Sequence, residues 1–251
     1  MLPGSDPTGS TSRPSTDINV ELTATGVPWD SAWTPEAVIE RLEPLVLERR
    51  RLRLAEVIAG RLGSVTVLLD ELADPHNRAA VVRSCDAFGV QQLHSLQPGP
   101  KFVIHHGVAA GTERWVDVCD HAGPSAAVAD LLARGFELIQ THPQGELLPD
   151  DLAALPRVAL VLGNEHRGID PVFAGAARRS VRIPMRGFVE SLNVSVSAAI
   201  LLAAATRGRN GDLSAAARRH LYARALFCSV PRAARVLDGF VTRDQLSRTQ
   251  P

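Results

Sequence analysis

The chain has 251 residues, 45% of them hydrophobic and 22% charged, and its 27 basic residues cancel its 27 acidic ones. That length suits one domain with appendages, and that apolar content suits a soluble core rather than a disordered chain. No apolar run approaches the roughly 20 residues of a membrane span. The opening MLPGSDPTGSTSRPSTD lacks a basic segment followed by an apolar one, so it does not read as a secretory signal. Its Pro, Ser, Thr, Gly and Asp content predicts a disordered tail over residues 1–30.

A basic helical extension follows over residues 31–62, with Thr34 as N-cap, Pro35 at the first helical position and Gly60 near the end. SVTVLLDEL (Ser64–Leu72) is β-branched and apolar, and reads as a buried strand. A helix is expected from about Asn77 to Phe88, stopped by Gly89, then a short strand at Gln91–Leu96. Residues 97–114 carry Pro98, Gly99, Pro100, Gly107 and Gly111, the marks of a long loop. Trp115–Cys119 alternates like a strand, and Pro124–Arg134 reads as a helix closed by Gly135. FELIQT and RVALVLG are further strands with a short helix between them at Pro149–Leu155. Asp170 and Pro171 open another short helix, SVRIP is the last strand, and Ser191–Thr206 a long apolar helix. Residues 208–251 form a second basic helical extension. Regular alternation of strand and helix defines an α/β class with a mainly parallel sheet.

Charge and cysteine patterns narrow the partners. Lys101 is the one lysine, so the remaining positive charge is arginine, concentrated in Arg41–Arg61 and Arg207–Arg235 on either side of the apolar core. Two basic arms around a neutral centre favour a polyanion such as RNA. Cys85, Cys119 and Cys228 form no CxxC pair, which argues against a disulfide framework and a zinc site. They fit reduced thiols in a cytoplasmic protein. His105 and His106 are adjacent and do not converge on a helix, so no metal is expected.

Two polar turns, GNEHRGID after one apolar strand and ESLN before the long apolar helix, sit where parallel sheets bind ligands. The first has G-x-x-x-x-G spacing, but Ile169 and Asp170 stand where a phosphate-binding loop needs Lys and Ser or Thr. No G-x-G-x-x-G joins a strand to a helix, so a dinucleotide site is not supported. Asn77 can cap a helix or face a ligand crevice, and Arg83 can pair with Asp86 three residues on.

Asn77 and Arg83 in HNRAAVVRSCDAFG, Glu165 in LVLGNEHRGI, and Ser191 with Asn193 in IPMRGFVESLNVSVSAAILL resemble the three motifs of the SPOUT superfamily. The resemblance is to its TrmH branch of RNA ribose 2′-O-methyltransferases, and it spans about Val65 to Arg207. It implies a trefoil α/β knot over residues 63–207, S-adenosylmethionine as cofactor, and an active site at a homodimer interface. The terminal segments resemble those of the members acting on guanosine 18 of tRNA. Ribosomal RNA, another tRNA ribose, or a knotted RNA-binding protein without catalysis are the alternatives. By this resemblance Leu162, Gly163 and Asn164 form one wall of the cofactor site, Ile183, Met185 and Leu192 another, and Thr141, between Gln140 and His142, the third.

Arg83, Asn77, Glu165, Ser191 and Asn193 are the implied catalytic set. An arginine pKa near 13.8 lies about seven units above neutral pH, a deprotonation cost of roughly 9 kcal/mol. Arg83 is therefore expected to anchor the RNA phosphate and stabilise the developing alkoxide rather than act as a plain base. Asn77 and Asn193 are expected to bond the ribose, Ser191 either to do the same or to cap the last core helix, and Glu165 to hold Asn77 or Arg83. HRG after Glu165 and AAGTERW at Ala109–Trp115 depart from the family pattern, leaving Arg167, Thr112 and Arg114 without an assigned role.

Overall fold

The computed structural model describes residues 28–96 and 114–239. The expected tail before residue 28, the loop with His105, His106 and Thr112, and the chain beyond residue 239 lie outside the described residues.

Among the described residues, six strands form one parallel sheet: β1 (Leu62–Leu69), β2 (Val90–Leu96), β3 (Asp117–His121), β4 (Glu137–Thr141), β5 (Val158–Leu162) and β6 (Arg179–Val181). Their order is β3-β2-β1-β5-β4-β6. Every residue of β1, β2 and β5 is buried, as expected for strands covered on both faces. Helix α3 (Pro75–Ala87), a 3-10 turn at Pro149–Ala154 and α6 (Val194–Ala205) cover one face through Val82, Leu152 and Leu201. Helices α4 (Pro124–Ala133) and α5 (Pro171–Ala176) cover the other through Leu131 and Phe173.

Several expected boundaries shift, each for a local reason. Helix α3 begins at Pro75 rather than Asn77, because Asp74 accepts the His76 N–H as N-cap. Helix α6 begins at Val194 rather than Ser191, with Asn193 as its cap. Strand β3 lies two residues later than expected, and β6 ends at Val181, where the backbone turns to pair with Leu147 instead. Strand β1 stops at Leu69 rather than Leu72, since Glu71 has a φ of 44°, a left-handed conformation incompatible with a strand. The helical run at 34–61 divides at Pro44 into α1 (Pro35–Leu42) and α2 (Glu48–Ala59).

The two terminal extensions are not separate arms. Helices α1 and α2 pack on α7 (Ala215–Ser229) around Val38, Leu42, Leu54, Leu221 and Leu226, giving the termini a common core. Many of their arginines serve structure. Arg61 pairs with Asp86, which removes the expected Arg83–Asp86 pair, and Arg224 pairs with Asp117. Arg209 donates to the carbonyls of Leu152, Leu155, Ala205 and Pro156, tying the 3-10 turn to the end of α6. Arg49, Arg50, Arg218, Arg232 and Arg235 make no ion pair among the described residues and form the remaining basic surface. No helix among the described residues is long and apolar enough to cross a membrane.

Strand β2 is fully buried although it carries Gln91, Gln92, His94 and Ser95. Part of this polarity is met laterally: His94 Nδ1 lies 2.8 Å from His121 Nε2, while Arg134 reaches His94 Nε2 (3.4 Å) and the Gln92 side-chain oxygen, whereas Gln91 Oε1 and Gln92 Nε2 are buried without a partner among the described residues. His94, His121 and Asp130 bring ligand-type atoms within 4.8 Å of one another. The charge facing Asp130 is the Arg134 guanidinium, 3.4 Å away. Burial, with Arg134 beside it, pushes His94 down to about 3 from 6.5. Below pH 6.5 the unfolded chain therefore holds a proton that the folded one refuses, so stability falls as pH falls, by about 1.4 kcal/mol per pH unit. Urea melts of His94→Gln between pH 7 and pH 4 are expected to lose stability less steeply than wild type. Equal slopes would assign acid unfolding to other groups.

Candidate active site

A cleft of about 720 Å³ opens at the carboxyl ends of β4, β5 and β6, on the side of the sheet where parallel folds bind ligands. Gln140, Thr141 and His142 leave β4, Leu162 to Glu165 leave β5, and Ile183 and Met185 follow β6. Glu190 to Asn193 and the first turns of α6 close it. All seven residues expected around the cofactor, Thr141, Leu162, Gly163, Asn164, Ile183, Met185 and Leu192, line this one cleft.

The walls stand where main chain passes close to main chain. A Cβ on Gly163 would lie 2.6 Å from the Gly168 carbonyl carbon, and one on Gly145 would lie 2.6 Å from that of Val181. The first contact lets the turn fold back, with reciprocal bonds Asn164 N–H to Gly168 O (2.8 Å) and Gly168 N–H to Asn164 O (2.9 Å). The second lets the stretch after β4 run beside β6: Leu147 N–H donates to Ser180 O, and Arg182 N–H donates to Leu147 O, both at 3.0 Å. Strand β6 is thereby flanked by β4 on one edge and by Leu147, from the turn after β4, on the other.

The side chain of Asn164 is committed to the turn. Its Oδ1 accepts the N–H groups of His166 (2.9 Å) and Arg167 (3.1 Å), and its Nδ2 donates to Glu71 O (2.6 Å). Arg167 pairs with the Glu71 carboxylate at 2.6 Å, so these two residues pin the left-handed Glu71 from both ends. With its main-chain N–H and C=O bonded to Gly168, Asn164 keeps one Nδ2 hydrogen and the second lone pair of its carbonyl for a ligand.

At the rim the three motifs meet. Asn77 Nδ2 donates to Glu165 Oε1 (2.8 Å), and Asn193 Nδ2 donates to Asn77 Oδ1 (3.0 Å). The other Glu165 oxygen accepts the Ala73 N–H at 3.0 Å. Asn193 Oδ1 accepts from both the N–H (2.8 Å) and the hydroxyl (2.6 Å) of Ser195. Partial burial raises the Glu165 carboxyl, but the bonds from Asn77 and Ala73 outweigh it and hold the group below its ordinary range. Each carboxamide retains one N–H that these bonds do not use. Of the two readings of Ser191, the cap belongs to Asn193; Ser191 stands exposed on the cleft wall.

Arg83 does not join them. It is exposed on α3 and does not line its own chain's cleft. Arg114 also lies away from the cleft, next to Trp115 on the amino-end side of the sheet. Residues missed in the sequence include Pro143, Ile169, Ala174, Val181, Glu190 and the α6 face of Val194, Ser197 and Leu201. The latter recur at i, i+3 and i+7, a spacing that puts them on one side of a helix.

The chemical class follows from the comparisons. The family model described as "SpoU rRNA Methylase family" matches residues 64–203, and the chain belongs to that family. It is 34% identical over 161 residues to the tRNA (guanosine(18)-2′-O)-methyltransferase of Escherichia coli (strain K12), covering 64% of this chain and 70% of the relative. It is 35% identical over 170 residues to the enzyme of the same name from Aquifex aeolicus, covering 67% and 81%. The crystal structure of the A. aeolicus TrmH/SpoU tRNA modifying enzyme superposes with a TM-score of 0.65 at 30% identity, covering 74% of this chain and 98% of that one.

Asn164→Ala removes three hydrogen bonds and leaves two N–H groups and a carbonyl to find others, an expected loss of about 2 kcal/mol in urea unfolding. A loss below about 0.5 kcal/mol would mean the turn holds without its side chain.

Proposed function

We propose that this chain is a cytoplasmic, S-adenosylmethionine-dependent methyltransferase that acts, as a homodimer, on the ribose 2′-hydroxyl of guanosine 18 in the tRNA D-loop. The observation that carries the reading is the composition of the cleft. Among the described residues lining it there is no lysine or arginine, whereas Glu165 and Glu190 are present. A di- or triphosphate would find no counter-charge there. A ligand with a positive sulfonium, an adenosine and no phosphate fits such a site. Leu162, Ile183, Met185 and Leu192 would hold its apolar faces, and main-chain groups of Gly163 with the spare lone pair of the Asn164 carbonyl its polar edges.

When bound, S-adenosylmethionine supplies a methyl group on a good leaving group. This chain's residues must then place the ribose oxygen and ease the loss of its proton. Alignment at near-attack distance is worth several kcal/mol of barrier. The spare N–H groups of Asn77 and Asn193, fixed by Glu165 and Ser195, suit a ribose oxygen, and Ser191 adds a free hydroxyl on the same wall. Arg83 anchors the phosphate and stabilises the alkoxide from the partner subunit. Support for the dimer comes from α6, whose Val196 and Ile200 are exposed, and from Phe188, fully exposed near the cleft mouth. Helix α3, which carries exposed Arg83, packs against α6. Support for a knotted unit over residues 63–207 comes from strand β6, which is held between two parts of one earlier segment. The terminal segments 31–62 and 208–251 then extend that unit, with residues 1–30 as a tail.

The direct test is incubation with labelled cofactor and tRNA or ribosomal RNA transcripts, followed by mapping of the modified ribose. Label at guanosine 18 is expected, and no incorporation into any RNA would refute the enzyme. Arg83→Lys is expected to cut turnover at least tenfold, because a point charge cannot reproduce the planar fork. Mixing inactive Arg83→Ala chains with inactive Asn193→Ala chains is expected to restore part of the activity, since hybrid dimers contain one intact site. No recovery after subunit exchange would place Arg83 in its own chain's chemistry.

A further inference from the structure

A second cavity, about 200 Å³, lies at the opposite end of the sheet. Strand β1 puts its eight residues between the two sites, roughly 25 Å at about 3.3 Å per residue. Its walls are one face of α2 (Arg50, Arg53, Leu54, Val57, Ile58), one face of α7 (Leu221, Arg224, Ala225), and Arg61, Gln91 and Trp115 at the amino ends of the strands. Its size admits one small ring system or six or so waters, at about 30 Å³ each.

Two buried atoms on these walls have no hydrogen-bond partner among the described residues: Gln91 Oε1 and Arg224 Nε. The amide of Gln91 cannot turn over to relieve this, because its Nε2 already donates to Trp115 O and Asp117 Oδ2, both at 3.0 Å. Arg224 donates to the other Asp117 oxygen and to the same Trp115 carbonyl, so the two side chains converge on shared acceptors and stand side by side. A buried, unpaired acceptor and a buried, unpaired donor on two side chains that share their other partners match a flat group that offers both an N–H and a carbonyl. Arg61 and Arg224 are already neutralised by Asp86 and Asp117, so the interior does not call for an anion. At the mouth Arg50 makes no ion pair among the described residues.

We propose that this cavity receives one unpaired nucleobase of the RNA substrate, a guanine or a uracil. Its N–H meets Gln91 Oε1, its carbonyl meets Arg224 Nε, and its phosphate lies on Arg50, with Arg53, which pairs with Glu56 at the exposed surface, beside it. The inference rests on the RNA-methyltransferase reading and adds to it an anchor remote from the reacting ribose. Unpaired RNA is read in this way, by splaying bases into pockets with an aromatic wall and hydrogen bonds to their edges.

The wild-type protein and tRNA transcripts carrying 6-thioguanosine or 4-thiouridine test it by photocrosslinking and peptide mapping. Crosslinks at Val57, Trp115 or Leu221 are expected, and they should vanish in Val57→Trp, which fills the cavity. Crosslinks confined to other surfaces would overturn the proposal and leave the cavity to water. In kinetics, Val57→Trp is expected to raise KM for tRNA about tenfold. It should leave kcat, cofactor affinity and the salt dependence of binding unchanged. Arg50→Ala with Arg53→Ala should instead flatten the salt dependence. A KM within twofold of wild type in a folded Val57→Trp protein would also overturn it. If Val57→Trp does not fold, the wild-type crosslinks decide alone. Cavity crosslinks without methyl transfer would refute the enzyme but not the pocket, and transfer without them would do the reverse.

Discussion

The cleft exists because backbone lies against backbone with no side chain between. At Gly163 and Gly145 the approach is closer than any Cβ allows, and those two contacts set the floor and one wall of the site. Everything that faces the ligand from β4, β5 and β6 is hung on them. A site built this way is stiff, since moving a wall means breaking main-chain bonds rather than rotating a side chain. It also presents peptide N–H and C=O groups, which recognise an uncharged nucleoside without recruiting a cation.

The same economy governs the rim. Glu165, Asn77 and Asn193 come from three segments separated by 88 and 116 residues, and two hydrogen bonds hold them together. The carboxylate fixes which end of the Asn77 amide points toward Asn193, because only the Nδ2 can donate to it. Orientation is thereby transmitted from an exposed acid to the residue that caps α6. Arg83, the remaining polar member of the first motif, is outside this chain of bonds, and the reason is local: six residues along a helix is one and two-thirds turns, which carries it off the Asn77 face.

Much of this was legible from the amino acids. Buried strands announced themselves as unbroken β-branched and apolar runs, and the helix starts at Thr34, Pro124 and Asp170 carried cap residues and prolines. The seven residues that line the cleft as expected follow from motif resemblance, not from periodicity, since nothing in the spacing of Thr141, Gly163 and Ile183 says that they meet. Where the reading slipped, tertiary contacts overruled local pattern. Ser64–Leu72 looks continuous, but Asn164 and Arg167 seize Glu71 and end the strand early. The arginine-rich ends looked like free arms, yet Arg61, Arg209 and Arg224 are internal ties whose partners lie far away in sequence. Gln91 and His94 read only as strand residues; their polar partners sit on β3, its approach and α4.

The docking of α1 and α2 on α7 has a consequence for how the chain reaches this state. Arg219 and Glu36, which join across that contact, are 183 residues apart. During synthesis α1 and α2 emerge long before α7, and the surface around Val38 and Leu42 stays wet until α7 has left the ribosome. Closure of so long a loop is slow compared with local helix formation. The helical layer is therefore the last part to assemble, and an interrupted chain would carry a sticky, unpaired end into a crowded cell.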